Sequence, residues 1–325
     1  MARITMREAI SQALWEEMER DEKVFILGEE VGVWGGTYAV TRGFYDHFGG
    51  ERVLDTPIAE AGIIGAAIGA AITGTRPVAE LMTINFAFAA MDHIVNEAAK
   101  LHYMFGGQMV LPIVIRAVGG GGRQLGATHS QTPDAVFAHF PGLRVVAPGT
   151  PADAKGMLKA AIRCDDPVLF IEHATLYQMR GEVPEGDYVV PLGKSKVQRE
   201  GSDVTIVTYS KMLELSLKAA DQLAQAGISA EIVDLRSLRP LDMGPVIESF
   251  KKTNHAVIVE EGWKSYGVGA EVMARIYEEA FDYADAPVKR VAQDEVPLPY
   301  NRTLEQMALP QVEDIIAAVK EVLNV

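Results

Sequence analysis

Short apolar runs alternate along the chain with segments of helical periodicity. Residues 24–27, 77–82 and 111–118 form three such runs, and each is followed by a loop or by the start of a helix. Apolar runs of this length between helical patterns predict the buried strands of an α/β sheet with helices on its faces.

Three helix starts carry the dipeptide Thr-Pro, at Thr56, Thr132 and Thr150. A threonine at the N-cap accepts a hydrogen bond from a free N–H group, and proline at the first helical position loses no hydrogen bond. The third start has Asp153 three residues after its threonine, which resembles a capping box. We therefore expect helices after all three positions, and a helical pattern that begins directly after residues 1–5.

The chain changes in character after Arg180. Residues 181–187 are rich in turn-forming residues and predict a surface linker. A second α/β pattern follows, with strands predicted at residues 204–209, 228–235 and 256–259 and helices around 213–225 and 267–279. We predict two domains, residues 1–190 and 191–325, which agrees with a length of 325 residues.

Composition excludes several classes of function. The net charge of −14 argues against a nucleic-acid-binding surface, because phosphate groups are neutralised by a basic face. The chain has one cysteine, Cys164, so it forms neither an internal disulfide nor a cysteine metal cluster. No secretory segment opens the sequence, and its most apolar stretch is short for a membrane span, so we expect a cytoplasmic protein without membrane contact.

Common cofactor motifs do not occur in the sequence. It contains no P-loop and no zinc-binding H-E-x-x-H. The glycine run at residues 119–122 follows a predicted strand, but its spacing does not fit the G-x-G-x-x-G of dinucleotide-binding proteins. A nicotinamide-dependent oxidoreductase is therefore poorly supported.

Glu60 lies at the start of an apolar helix, after Ile58 and Ala59. Local sequence alone favours an ordinary carboxylate stabilised by the helix dipole. The apolar surroundings predict partial burial, which favours a protonated glutamic acid that donates a hydrogen bond to a ring nitrogen. Local sequence leaves both interpretations open.

His129 ends a glycine-rich loop between a predicted strand and a helix. Loops beyond the carboxyl ends of strands are where open α/β sheets bind ligands, and histidine exchanges protons near neutral pH. A solvent-exposed loop histidine is the alternative. Phe86 is able to stack on an aromatic ring, although core packing explains it equally well.

Taken together, several segments resemble the β subunits of two-chain 2-oxoacid dehydrogenase E1 enzymes. The resemblance covers essentially the whole chain in the same order. It rests on the segments Gly28-Glu-Glu-Val-Gly, Asp55-Thr-Pro-Ile-Ala-Glu-Ala-Gly, Pro77-Val-Ala-Glu-Leu-Met-Thr-Ile-Asn-Phe, Leu125-Gly-Ala-Thr-His-Ser-Gln, Val259-Glu-Glu-Gly-Trp and Val296-Pro-Leu-Pro-Tyr. The last two are more similar to the pyruvate type than to the branched-chain type.

The resemblance implies a two-domain transketolase-like α/β fold. Residues 1–190 would form a pyrimidine-binding domain, a parallel sheet flanked by helices, and residues 191–325 a transketolase C-terminal domain. It also implies an α2β2 heterotetramer that binds thiamine diphosphate between α and β chains. The α subunit would hold the diphosphate and Mg²⁺ through a Gly-Asp-Gly motif, which this sequence lacks.

By position, the resemblance implies that Glu60 and His129 are catalytic. Glu60 would hydrogen-bond N1′ of the cofactor's aminopyrimidine, and His129 would exchange protons and assist transfer to the lipoyl group of E2, the dihydrolipoyl acetyltransferase. The implied cofactor contacts are Glu29, Ile58, Ala59, Glu60, Met82 and Phe86. Thr83, Ile84 and Asn85 would line the substrate side together with His129.

The family also has a potassium site built largely from main-chain carbonyls. The matching positions are Ile113, Ala161, Ile162, Cys164 and Asp166. The chain has Cys164 where some relatives have an acidic residue, a change that a carbonyl ligand tolerates.

Two other functions remain open besides an E1 β subunit that acts on pyruvate. One is the β subunit of a branched-chain 2-oxoacid enzyme, which needs a roomier pocket. The other is a non-catalytic assembly subunit that keeps the fold and recruits E2 or another partner, although the presence of both Glu60 and His129 argues against it. Activity as a single-chain transketolase is not expected, since the diphosphate-binding domain is missing.

Overall fold

The computed structural model describes all 325 residues, which form two compact units. The first unit comprises Met1–Gly119 and Val136–Leu192, and the second comprises Gly120–Ala135 and Gly193–Val325. The segment that carries His129 therefore belongs to the second unit, although the strand before it belongs to the first.

The first unit is built on parallel strands with helices packed against them. Six strands lie in the order β6 (Arg144–Val146), β7 (Val168–His173), β5 (Val114–Gly119), β4 (Arg76–Leu81), β2 (Val24–Gly28) and β3 (Val53–Asp55). Each neighbouring pair is parallel. Strands buried on both faces read as continuous apolar runs, which is why the sequence pattern located β2, β4 and β5 to within a few residues.

The helices of the first unit are, in chain order, α1 (Met6–Arg20), α2 (Phe44–Phe48), α3 (Glu60–Ile72), α4 (Leu101–Met104), α5 (Asp134–Ala138) and α6 (Pro151–Arg163). The first two residues of α5 belong to the Gly120–Ala135 segment of the second unit. A 3₁₀ helix at Ile84–Ala90, a π-helix at His93–Ala98 and a 3₁₀ turn at Ala174–Leu176 complete it. Buried side chains of α1 and α6 form one core with the sheet.

The predicted helix starts at Thr150 and Thr56 differ in whether the threonine caps the helix. Thr150 is the N-cap of α6, where its hydroxyl accepts a hydrogen bond from the N–H of Asp153, so this prediction is confirmed. A helix also follows Thr56, but the predicted cap is wrong, because α3 begins only at Glu60, with Ala59 at the N-cap and no side-chain cap. The buried Thr56 hydroxyl makes no hydrogen bond within the chain.

The N-terminus and the expected linker pair with each other. Strand β1 (Ala2–Thr5) is antiparallel to β8 (Arg180–Val183), so the predicted surface linker is wrong at residues 181–183, whereas the helix predicted directly after residues 1–5 is confirmed by α1 at Met6–Arg20. Asp187 forms ion pairs with Lys159 and Arg163, which holds the rest of the linker segment against α6. A short two-stranded pairing has too few residues for its alternation to be recognised in sequence.

The second unit has its own sheet and core. The strand order is β14 (Lys289–Gln293), β13 (Ala256–Trp263), β10 (Val204–Thr208), β11 (Ala230–Asp234) and β9 (Lys196–Arg199), and a short strand β12 lies at Ser237–Arg239. All pairs in this sheet are parallel except β11 with the edge strand β9. The helices are α7 (Lys211–Gln225), α8 (Gly244–Thr253), α9 (Val268–Ala280), α10 (Arg302–Ala308) and α11 (Val312–Leu323), with a 3₁₀ turn at Phe281–Tyr283.

The predicted α/β fold class is confirmed: each unit is a mainly parallel sheet flanked by helices. None of the helices combines the length and the apolar character that crossing a lipid bilayer demands.

Candidate functional site

Glu60 is the first residue of α3, and its side chain is half-buried. Helix α3 packs against β4 and against the 3₁₀ helix at Ile84–Ala90. The helix start, the end of β4 and the segment after it are thus neighbours in the first unit. Most of the predicted cofactor-contact residues lie on these three segments.

Glu29 follows directly on β2 and is 6% exposed. Burial is the largest cause that raises the pKa of Glu29 above its ordinary value, and the negative charges of Glu60 and Glu30 raise it further. Glu29 and Glu60 are therefore electrostatic neighbours, as expected of two residues at one site. Glycine precedes Glu29 because a Cβ at Gly28 would lie 2.5 Å from the carbonyl oxygen of Glu80.

Buried polar groups without a partner mark the segment after β4. The hydroxyl of Thr83 and both side-chain polar atoms of Asn85 are buried and make no hydrogen bond within the chain. Burying such groups unpaired costs about 1–3 kcal/mol each. Their presence favours a site that a ligand or a second chain completes.

The apolar residues of the predicted site differ in exposure. Ile58 is 78% exposed, an unusual value for an isoleucine. Ala59 is also exposed, Met82 and Phe86 are half-buried, and Ile84 is buried. Ile58, Met82 and Phe86 therefore offer apolar surface outside the packed core.

A buried ionic network that the sequence analysis missed crosses the centre of the first sheet. Arg116 on β5 donates to both carboxylate oxygens of Glu172 on β7, at 2.7 and 2.9 Å, and also bonds Glu80 on β4. The Tyr177 hydroxyl donates to Glu172. Burial, only partly offset by Arg116, raises the pKa of Glu80. The signal was available in the sequence, because Glu80, Arg116 and Glu172 each interrupt an apolar run within a strand.

His129 lies in the second unit, on the exposed part of the Gly120–Ala135 segment. Its N–H donates to the carbonyl of Gly126 at 3.3 Å, and its Nδ1 is 2.9 Å from the hydroxyl oxygen of Thr128. At the base of the loop, the N–H of Gly120 donates to the carbonyl of Gln131 at 3.2 Å. The histidine is thus on a closed loop with internal hydrogen bonds.

The predicted potassium ligands surround the end of α6. The Arg76 guanidinium donates to the carbonyls of Ile162 and Cys164, at 2.8 and 2.7 Å. The carbonyl of Ala161 accepts from the Cys164 N–H, and the carbonyl of Ile113 accepts from the Val168 N–H. A carbonyl oxygen has two lone pairs, so each retains one for a cation. Main-chain carbonyl oxygens are suitable ligands for potassium, but two of these oxygens already accept hydrogen bonds from the Arg76 guanidinium.

Asp166, the fifth predicted ligand, pairs through its side chain with Arg144. The Cys164 thiol lies beside the same residue, since the Asp166 N–H donates to Sγ at 3.5 Å. The Asp166 side chain is therefore engaged, and the main-chain carbonyl is the group of Asp166 that fits the predicted potassium site.

Comparison with known proteins identifies two families and several relatives. The family described as "Transketolase, pyrimidine binding domain" matches residues 2–180, and "Transketolase, C-terminal domain" matches residues 193–315. The chain is 51% identical over 321 residues to "Pyruvate dehydrogenase E1 component subunit beta-2, mitochondrial" of Oryza sativa subsp. japonica, covering 98% of this chain and 85% of the relative. It is 51% identical over 319 residues to "Pyruvate dehydrogenase E1 component subunit beta" of Rickettsia felis, covering 98% of both chains.

A solved structure has the same fold. The chain is similar to a protein described as "Split gene transketolase, inactive beta4 tetramer", with a TM-score of 0.80, 28% identity and coverage of 99% of each chain. The family matches and this structure agree on a two-domain transketolase-like architecture.

Proposed function

The chain belongs to the transketolase-like family of pyruvate dehydrogenase E1 β subunits, and we propose that it supplies the pyrimidine half of a thiamine-diphosphate site acting on pyruvate. The observation that carries the proposal is identity of about half over nearly the whole length to chains named pyruvate dehydrogenase E1 subunit beta. No observation favours a branched-chain substrate or a non-catalytic role.

Glu60 is the proposed proton-handling group. A half-buried carboxyl at a helix start is able to hydrogen-bond a ring nitrogen of the aminopyrimidine, and Glu29 beside it holds its proton to a higher pH than usual because it is buried.

The remaining proposed contacts hold and orient the ring. Ile58, Met82 and Phe86 offer apolar surface to it, whereas Thr83 and Asn85, on the proposed substrate side, offer buried polar atoms that lack a partner within the chain. Thiamine diphosphate, when bound, supplies the electron sink for decarboxylation of a 2-oxo acid. His129 is the proposed proton donor or acceptor during transfer of the acetyl group to the lipoyl group of E2.

We propose further that the chain is active only with an α subunit. The α subunit would hold the diphosphate and Mg²⁺ in an α2β2 heterotetramer, and E2 would dock on the C-terminal domain, residues 191–325. The pyrimidine-binding role would belong to residues 1–190. A cytoplasmic location is part of the proposal, and cell fractionation tests it.

Reconstitution tests the function directly. The chain is combined with a cognate α subunit, thiamine diphosphate and Mg²⁺, and turnover is measured on pyruvate and on 3-methyl-2-oxobutanoate. We expect activity on pyruvate only in the assembled enzyme. Activity of the β chain alone would contradict the divided site, and preference for the branched substrate would contradict the substrate assignment.

Substitution of Glu60 tests the catalytic role. Glu60→Gln keeps the shape of the side chain but loses the titrating proton, so we expect turnover to fall by about 10²-fold or more. Glu22→Gln, in an exposed turn, is the matched control and should retain full rate. Equal turnover of the two variants would refute the role of Glu60.

We also propose the potassium site, in which the cation would share two carbonyl oxygens with Arg76. Thermal unfolding in potassium chloride and in tetramethylammonium chloride at equal ionic strength tests it. A higher Tm in potassium supports a bound cation, and equal Tm values contradict it.

A further inference from the structure

The backbone of the loop that carries His129 alternates in handedness. Residues 120, 122, 124 and 126 have positive φ values of 88°, 88°, 55° and 78°. Three of the four are glycine, and the fourth is Gln124, a residue that rarely adopts this conformation. Alternation of this kind turns successive N–H groups toward one side and forms an anion-binding concavity, a nest.

Two carboxylates of the same unit occupy this nest. Glu305 on α10 accepts from the N–H of Gly122 at 3.1 Å, from the N–H of Gln124 at 3.1 Å and from the Gln124 side-chain amide at 2.6 Å. Glu261 on β13 accepts from the N–H of Gly121 at 2.7 Å. Hydrogen bonds from N–H groups to a carboxylate are stronger than those to a neutral acceptor.

Both carboxylates are buried, with Glu305 fully inaccessible and Glu261 7% exposed. A buried carboxylate requires compensation, and these N–H groups provide it for Glu305. The dependence is mutual, because the strained backbone at Gln124 persists only where its surroundings fix it.

The loop at residues 120–126 also packs closely against the residues that flank α10. A Cβ at Gly121 would lie 2.7 Å from a methyl group of Leu298 and 3.0 Å from Leu309. Glu305 is itself fixed, because its N–H donates to the carbonyl of the N-cap residue Asn301 at 2.8 Å. The nest therefore rests on a rigid partner.

The two arms of the loop are joined at the base by the bond from Gly120 to Gln131, and His129 lies on the arm opposite the nest. Because the two arms are joined at their base, fixing the arm that contains the nest also restricts the position of the arm that carries His129. We propose that Glu305, assisted by Glu261, is a positioning residue for His129, acting through the nest at residues 120–124. This inference rests on the proposed role of His129 in acetyl transfer.

The test compares Glu305→Gln with Glu313→Gln, an exposed carboxylate on α11, in the full chain assembled with its α subunit. The first readout is amide hydrogen exchange of residues 120–126, which does not depend on activity. Loss of a hydrogen bond to a charged group predicts roughly tenfold faster exchange in Glu305→Gln and none in the control.

The second readout is the rate of acetyl transfer to a lipoyl domain, measured in wild type and in a His129→Ala background. We expect Glu305→Gln to lower kcat by about tenfold with KM for pyruvate unchanged, and to add less than about twofold once His129 is gone, because residues that act as a unit are not additive. A purely structural role would lower the rate equally in both backgrounds.

Each outcome decides a separate claim. Unchanged exchange, or equal rate losses in both backgrounds, would overturn the inference. A His129→Ala variant with normal rate would instead overturn the role of His129, while the exchange data would still show whether Glu305 holds the loop. Should Glu305→Gln not fold, Gln124→Ala removes only the side-chain bond to Glu305, and faster exchange of residues 120–126 is again the expected result.

Discussion

Glu260, on β13 of the second unit, is a buried carboxyl group whose titration should control stability near neutral pH. It is 1% exposed and lies against the first turn of α9, where a Cβ at Gly267 or Gly269 would come within about 2.6 Å of its oxygens. Burial raises the pKa of Glu260 to about 7, and the main chain of Gly269 offsets this only in part. The protonated form is thus the one that the fold accommodates.

The size and sign of the effect follow from this pKa. A change from the ordinary 4.5 to about 7 in the folded state corresponds to about 3 kcal/mol, at about 1.4 kcal/mol per pH unit. Because the folded pKa is the higher one, the contribution is fully present below pH 4.5 and is lost as pH rises through 7. The folded second unit should therefore lose stability across this range.

Glu260→Gln removes the titration and keeps the shape. We expect the variant to match wild type near pH 4.5 and to exceed its free energy of unfolding by up to about 3 kcal/mol at pH 8. Native-state hydrogen exchange of β10 and β13, corrected for the intrinsic exchange rate at each pH, measures this for the second unit alone. Glu248→Gln, exposed on α8, serves as the matched control.

A difference in stability between Glu260→Gln and wild type that stays constant from pH 4.5 to 8 would show that Glu260 does not titrate in this range. A variant that is less stable than wild type at pH 8 would also contradict the prediction, because the carboxylate would then be stabilised by its contacts with α9. The control should show neither change.

Further predictions concern the first unit. Arg116→Met should lower the free energy of unfolding by about 3–5 kcal/mol, since it leaves buried carboxylates without their cation. Arg144→Met, at a partly exposed ion pair, should cost at most about 1 kcal/mol, and urea unfolding that ranks the two equally would contradict this. Gly142→Ala places a Cβ 1.8 Å from the Ala99 carbonyl oxygen at a φ of 91°, whereas Gly186→Ala, also at a positive φ of 78°, places its Cβ in open space. We expect Gly142→Ala to lower Tm more, by the equivalent of about 1–3 kcal/mol of overpacking.

Six strands could be predicted because they are buried on both faces and read as apolar runs, namely β2, β4, β5, β10, β11 and β13. The predicted strand at residues 204–209 lies on β10 at Val204–Thr208, and the predicted helix at 213–225 lies on α7 at Lys211–Gln225. The pairing of β1 with β8 could not be predicted, because it joins residues nearly 180 positions apart through only four residues on each strand. Local periodicity carries no information on such a contact.

The candidate site around Glu60 could be predicted only in part, because the burial of its polar groups depends on contacts between distant segments. The sequence indicated a carboxyl at a helix start, and the structure adds that Glu60 acts electrostatically on a buried Glu29. The polar atoms of Thr83 and Asn85 are visible in the sequence, but only the fold shows that they are buried without partners. Burial of a polar group is a tertiary property, since neighbours from several segments create it.

The glycine run at residues 119–122 illustrates how far spacing alone can mislead about function. Its spacing excluded a dinucleotide fingerprint, yet the run does form a backbone nest of the kind that binds anions. The anions are carboxylates of the chain itself, separated from the loop by 140 and 183 positions in the sequence. Because the N–H groups of residues 121, 122 and 124 are bonded to internal carboxylates, the nest fixes the conformation of the loop instead of offering these groups to a phosphate. The residue to which this matters most is His129, because its loop begins at the nest and its proposed chemistry requires a defined position.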